Sequence, residues 1–194
     1  MNTHAALHNS DNTHSLFGFW LYILSDCLLF ASLFATYAVL HGNTFGGPAS
    51  IELFSLPFVL LETIILLTSS FTCGLAMLAV HHHKQHLAQV LLSATLVLGL
   101  SFLFLEFTEF RQLVSEGSSW QRSGFLSAFF TLVGTHGLHV FFGCVWLSVL
   151  IIQSLRRGLT TMTVRQLLTL SLFWHFLDIV WIFIFSFVYL IGVL

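Results

Sequence analysis

Residues 170–193 read LSLFWHFLDIVWIFIFSFVYLIGV. About 20 predominantly apolar residues cross a bilayer as one helix, because ~30 Å of hydrocarbon is covered at ~1.5 Å per residue. This stretch meets that requirement, yet it carries His175 and Asp178, three residues apart and therefore on one helical face. An imidazole and a carboxylate facing lipid are costly unless they pair or turn toward protein. The stretch therefore predicts partner helices whose polar faces meet its own.

The composition agrees. Of 194 residues, 57% are hydrophobic and 7% charged, and mean hydropathy is +0.93. Soluble domains carry about 25% charged residues, so the chain is an integral membrane protein. A net charge of −2 without a basic patch gives no sign of nucleic-acid binding. Cys27, Cys73 and Cys144 each sit in a different apolar run, with no C-x-x-C spacing for a zinc site or disulfide framework. Residues 1–15 lack the Lys or Arg of a signal-peptide n-region, so the first apolar run is expected to stay in the mature protein.

The fold class predicted is all-α: a polytopic bundle of five transmembrane helices at about 16–40, 54–80, 87–110, 125–152 and 170–193. These helices form one domain, 16–194, preceded by a polar, disordered cytoplasmic tail at 1–15. Gly46, Gly47 and Pro48 break the chain after the first helix. Pro57 falls in the first turn of the second, where a missing N–H is tolerated. HHHKQH (81–86) reads as a solvated turn, RQLVSEGSSWQRS (111–123) as a loop with Trp120 as an interface anchor, and QSLRRGLTTMTVRQ (153–166) as the last loop. Lys84, Arg156, Arg157 and Arg165 fall on one side, Arg111 and Arg122 on the other. The positive-inside rule then places the amino terminus in the cytoplasm and the carboxyl terminus in the periplasm.

Every span carries ionisable groups at helical spacing. They are Asp26 in the first, Glu62 in the second, Glu106 and Glu109 in the third, His136 and His139 in the fourth, and His175 and Asp178 in the fifth. Alternating topology sorts them by depth into an inner cluster of Asp26, His175 and Asp178 and an outer cluster of Glu62, Glu106 and Glu109, with the histidines between. Three readings stay open: a metal site, a proton-linked group, and a polar network that fixes helix packing, the last being preferred. A di-iron bundle would need Glu-x-x-His twice plus two further Glu, and a zinc hydrolase His-Glu-x-x-His; neither pattern is present. No catalytic, cofactor-binding or metal-ligating residue is assigned.

These residues carry a resemblance. THGLHVFFG (135–143) and FWHFLDIVWIFIFSFVYLIG (173–192) resemble the signature helices of subunit III of the haem–copper terminal oxidases. The runs at 17–40 and 56–76, EFTEF (106–110) and RSGFLSAFFTLVGTHGLH (122–139) resemble its other helices, so the likeness covers every predicted span. The five-helix form, RSGFLSAFF and SLFWHFLDIVWI are most similar to the bo-type, ubiquinol-oxidising branch.

The resemblance implies an accessory subunit without redox centres. Haem, copper and ubiquinol belong to partner subunits, and this chain binds the catalytic subunit I and phospholipid in a bacterial inner membrane. Asp26 matches the family's buried Glu near the proton-uptake side, one methylene shorter, and is the candidate proton-linked carboxylate. Glu62 stands where many relatives have Asn. Longer members have two more helices, and a further small subunit or lipid is expected in their place. The rival expectation is a free-standing transporter of protons or divalent metal; such proteins place broken helices at the substrate site.

Overall fold

The computed structural model describes residues 3–42, 56–115, 117, 121 and 123–193. Five helices long and apolar enough to cross a membrane account for almost all of them. They are α1 (Thr3–Leu40), α2 (Leu56–His81), α3 (Gln85–Ser115), α4 (Gly124–Arg157) and α5 (Thr161–Ile184), the last continued by a π-helical segment, Phe185–Leu190, and a closing α-turn.

The helices are apolar on all sides, so an apolar stripe cannot say which face turns inward. A continuous line among the buried positions of each follows a stricter rule. On α2 they run Val59, Glu62, Leu66, Ser69, Cys73, Ala76, Val80, alternating steps of three and four. On α3 they run Ala88, Leu92, Thr95, Gly99, Phe102, Glu106, and on α5 Leu167, Leu170, Trp174, Leu177, Trp181, Ile184. This is the seam spacing of helices packed at a shallow angle. Glu62 and Glu106 occupy seam positions, so their carboxylates face protein.

α2, α3, α4 and α5 close a ring in which each packs on two neighbours, while α1 leans from outside on α4 and, less, on α5. Only 17% of the apolar stretch of α1 is buried, against 56% for α5. Gly99 and Gly143 form a slot for the Trp174 ring: a Cβ at 99 would lie 2.8 Å from Trp174 Cη2, and one at 143 would lie 3.1 Å from Cζ3. Small residues at such crossings let backbones approach.

The connections explain where helices end. Between α2 and α3 the chain reverses in three residues, with His83 at φ 55° and the Lys84 N–H donating to Ala79 O at 2.9 Å. α4 ends at Gly158, whose φ of 71° suits glycine and whose N–H donates to Ser154 O at 3.0 Å. The amides of Gln85 and Gln89 donate to the same carbonyl at 3.4 and 3.2 Å. Thr160 Oγ1 then caps α5 by accepting from Thr163 N–H at 3.2 Å.

Several expected boundaries move. α1 is helical from Thr3, within the stretch 1–15 expected as a tail; no Gly or Pro precedes Gly18 to stop a helix extending from the membrane. α3 reaches Ser115. The expected loop 153–166 shrinks to three residues, because Thr163 and Leu167 extend the buried seam of α5 back to Thr161. Pro57 does stand in the first turn of α2. Trp120, Arg122 and most of the first loop lie outside the described residues.

Candidate functional site: buried polar clusters

The first cluster lies where α2, α3 and the π-helical segment meet. Glu62 and Glu106 stand at nearly equal sequence distance on either side of His83, which brings them to one depth. Glu62, Glu106 and Glu109 are close enough to feel one another's charge. Neither oxygen of Glu62 has a hydrogen-bond partner, nor has Oε1 of Glu106. The Glu106 carboxylate lies against the backbone of α4, where a Cβ at Gly137 would come within 2.6 Å of both its oxygens. Glu109 Oε2 accepts from the Tyr189 hydroxyl at 3.0 Å. The widened π-turn turns both Val188 and Tyr189 inward, and Tyr37 Oη donates to Val188 O at 3.5 Å.

His136 is fully buried among aromatic rings, 5.2 Å from Trp181, 5.9 Å from Phe102 and 6.4 Å from Phe30 between centroids. Neither ring nitrogen is hydrogen-bonded. Trp181 Nε1 donates to Thr63 Oγ1 at 3.1 Å and Trp174 Nε1 to Ser69 Oγ at 3.0 Å, tying α5 to α2.

The second cluster joins α1 to α4. His139 Nδ1 lies 2.7 Å from Thr135 O, and a carbonyl only accepts, so Nδ1 carries the hydrogen. That leaves Nε2, 3.7 Å from Asp26 Oδ2, as an acceptor in the neutral ring. Tyr22, one turn earlier on α1, is within hydrogen-bonding reach of Asp26.

The third cluster joins α2 to α5. Ser70 Oγ and His175 Nδ1 are 2.6 Å apart, and Asp178 is within reach of the same hydroxyl. His175 is therefore partnered by Ser70 and not directly by Asp178.

Each predicted residue thus has a place, but the grouping differs from the one expected. Glu62, Glu106 and Glu109 do form one cluster. The expected inner cluster divides: Asp26 pairs with His139, because α1 packs on α4 and not on α2, while His175 and Asp178 meet Ser70. With α5 starting at Thr161, His175 and Asp178 lie near the middle of their span. Sequence reasoning missed Tyr189, Tyr22 and Ser70. The signal for the tyrosines was a hydroxyl needing a partner at membrane depth. Among the described residues no three His, Cys, Asp or Glu side chains are poised to hold a metal. The arrangement locks helices together.

The family pattern described as Cytochrome c oxidase subunit III matches residues 2–193. A Pseudomonas aeruginosa protein named Cytochrome bo(3) ubiquinol oxidase subunit 3 is 52% identical over 198 residues, covering 100% of this chain and 95% of that protein. Cytochrome c oxidase subunit 3 of Bacillus sp. PS3 is 45% identical, covering 94% and 88%. A Staphylococcus aureus protein named Probable quinol oxidase subunit 3 is 47% identical, covering 90% and 88%. A helical bundle that encloses Glu62, Glu106 and His136, together with a match across virtually the whole chain, leads to one conclusion: the chain belongs to the cytochrome c oxidase subunit III family.

Proposed function

We propose that this chain is subunit III of a bo-type ubiquinol oxidase, an accessory subunit of a complex that oxidises ubiquinol, reduces oxygen to water and pumps protons. The observation that carries the reading is the 52% identity across the whole chain to the Pseudomonas aeruginosa bo(3) subunit 3. Haem, copper and ubiquinol sit in partner subunits, chiefly the large catalytic subunit I, and this chain supports assembly and durability. It lies in a bacterial inner membrane, amino terminus in the cytoplasm and carboxyl terminus in the periplasm. Exposed Lys84, Arg156, Arg157 and Arg165 on one side, facing Arg111 on the other, support that orientation.

Within the chain, Glu62, Glu106, Glu109, His136, His139, His175 and Asp178 form the packing network. Asp26 is the proton-linked carboxylate: it is buried, stands 3.7 Å from His139 Nε2, and matches the family's buried Glu. A groove of about 690 Å³ between α1 and α5, lined by Ala31, Phe34, Ala35, Phe183 and Phe187, suits a phospholipid acyl chain or a small neighbouring subunit. The transporter reading gains nothing: all three relatives named above are oxidase subunits.

The test is purification in mild detergent through a tag on this chain, followed by a reduced-minus-oxidised haem spectrum and assays with quinol and with reduced cytochrome c. Co-purified haem and quinol-dependent oxygen uptake are expected. Haem with activity on cytochrome c alone would refute the donor. A colourless, folded, single-chain preparation would refute the accessory role.

A further inference from the structure

Most ionisable groups within the spans turn inward. The third cluster does the opposite. Ser70, His175 and Asp178 line a notch between α2 and α5, together with Leu67, Phe71 and Gly74. The notch opens on the outer surface: Phe71 is 66% exposed, and a Cβ at Gly74 would meet nothing within 4 Å. Ser70 and Gly74, one helical turn apart, are the small-x-x-x-small spacing that lets a second helix approach closely.

A stripe of small residues alone would say little. Asp178 adds an independent sign. It is only 9% exposed, yet its Oδ1 has no hydrogen-bond partner. Ser70 is shared between Asp178 and His175, which leaves the carboxyl group short of donors. Acyl chains supply no donor, and Asp178 stands too near the middle of its span for a headgroup to reach.

We infer that the α2/α5 notch docks a transmembrane helix of the haem-bearing subunit, and that this helix presents a hydrogen-bond donor to Asp178. The inference rests on the accessory-subunit reading and adds to it the surface used and the chemistry of the occupant. The partner helix crosses over Ser70 and Gly74, with Phe71 packing along its flank, and its Ser, Thr, Asn or Trp side chain meets the Asp178 carboxyl group.

The test uses the whole complex, purified through a tag on this chain. Gly74→Leu places a side chain in the notch from a position where a Cβ meets nothing within 4 Å, and Val97→Phe adds bulk to the outward face of α3, where Val97 is 62% exposed. Both variants are expected to accumulate in membranes like the wild type. Haem recovered per tagged chain should fall about tenfold for Gly74→Leu and stay unchanged for Val97→Phe. Independently, Gly74→Cys in a Cys27→Ala background, labelled with a benzophenone maleimide and irradiated, should give an adduct with the haem-bearing subunit. Wild-type haem recovery with Gly74→Leu would overturn the inference, as would adducts only with lipid or with a second copy of this chain. If the wild-type chain brings down no haem at all, the accessory-subunit reading itself fails, and the two failures are distinguished.

Discussion

Gly99→Ala tests the packing of the bundle at its tightest point. A methyl group at 99 would stand 2.8 Å from Trp174 Cη2, 2.9 Å from Cζ2 and 3.1 Å from Cys144 Sγ. The ring cannot simply swing away. Its Nε1 is held at 3.0 Å by Ser69 Oγ, and its other edge lies against Gly143. Overpacking of this kind costs about 1–3 kcal/mol. Losing the Trp174–Ser69 bond costs about 0.6 kcal/mol more, typical of interhelical bonds in membranes. Alanine regains about 1 kcal/mol of helix propensity over glycine. The expected net loss is about 0.5–2.5 kcal/mol. It is measured by unfolding in mixed micelles with increasing dodecyl sulfate, followed by far-ultraviolet circular dichroism. The partner variant Trp174→Phe, with a shorter ring and no N–H, should remove most of the penalty, so the double variant should match Trp174→Phe alone. Wild-type stability of Gly99→Ala, or a penalty undiminished in the Trp174→Phe background, would refute the reasoning.

Three further perturbations address the clusters. Tyr189→Phe strips Glu109 Oε2 of its donor and should cost about 1–2 kcal/mol in the same unfolding assay; the cost should largely vanish once Glu109→Met, which offers no oxygen to the hydroxyl, is already present. Asp26→Asn should leave haem recovery intact while changing proton uptake or the rate of inactivation during turnover. Unchanged kinetics and lifetime would count against a proton-linked role for the Asp26–His139 pair. Asp178→Ala should leave the isolated chain folded, since His175 keeps Ser70, and should weaken association with the haem-bearing subunit; a chain that no longer accumulates would contradict this.

The number of spans and their centres were legible in the apolar runs, because hydropathy over such a length has only one physical outcome. Helix ends were less legible. Residues 153–166 look like a loop by polarity, yet only Gly158 demands a left-handed backbone, and the Thr-rich remainder continues the α5 seam. The membership of the acidic cluster followed from depth alone. The partner of Asp26 did not, because depth says nothing about which helices are neighbours, and α1 sits outside the ring. Ser70 was hidden for a related reason. Neighbouring Ser69 and Ser70 look equivalent in sequence, but one serves Trp174 inside the ring and the other serves His175 at its edge.

The three-residue reversal at His82–Lys84 bears on how the protein is made. Alone in lipid, α2 would carry Glu62 with neither oxygen bonded, and α3 would carry two carboxylates of its own. Joined so tightly, the two leave the ribosome within moments of each other and can enter the bilayer as one hairpin, with their acids turned toward each other from the start. Separating them should therefore harm biogenesis more than it harms the finished fold. Lengthening the turn with a flexible Gly/Ser linker should lower the yield of inserted protein, while molecules that do insert keep the stability of the original.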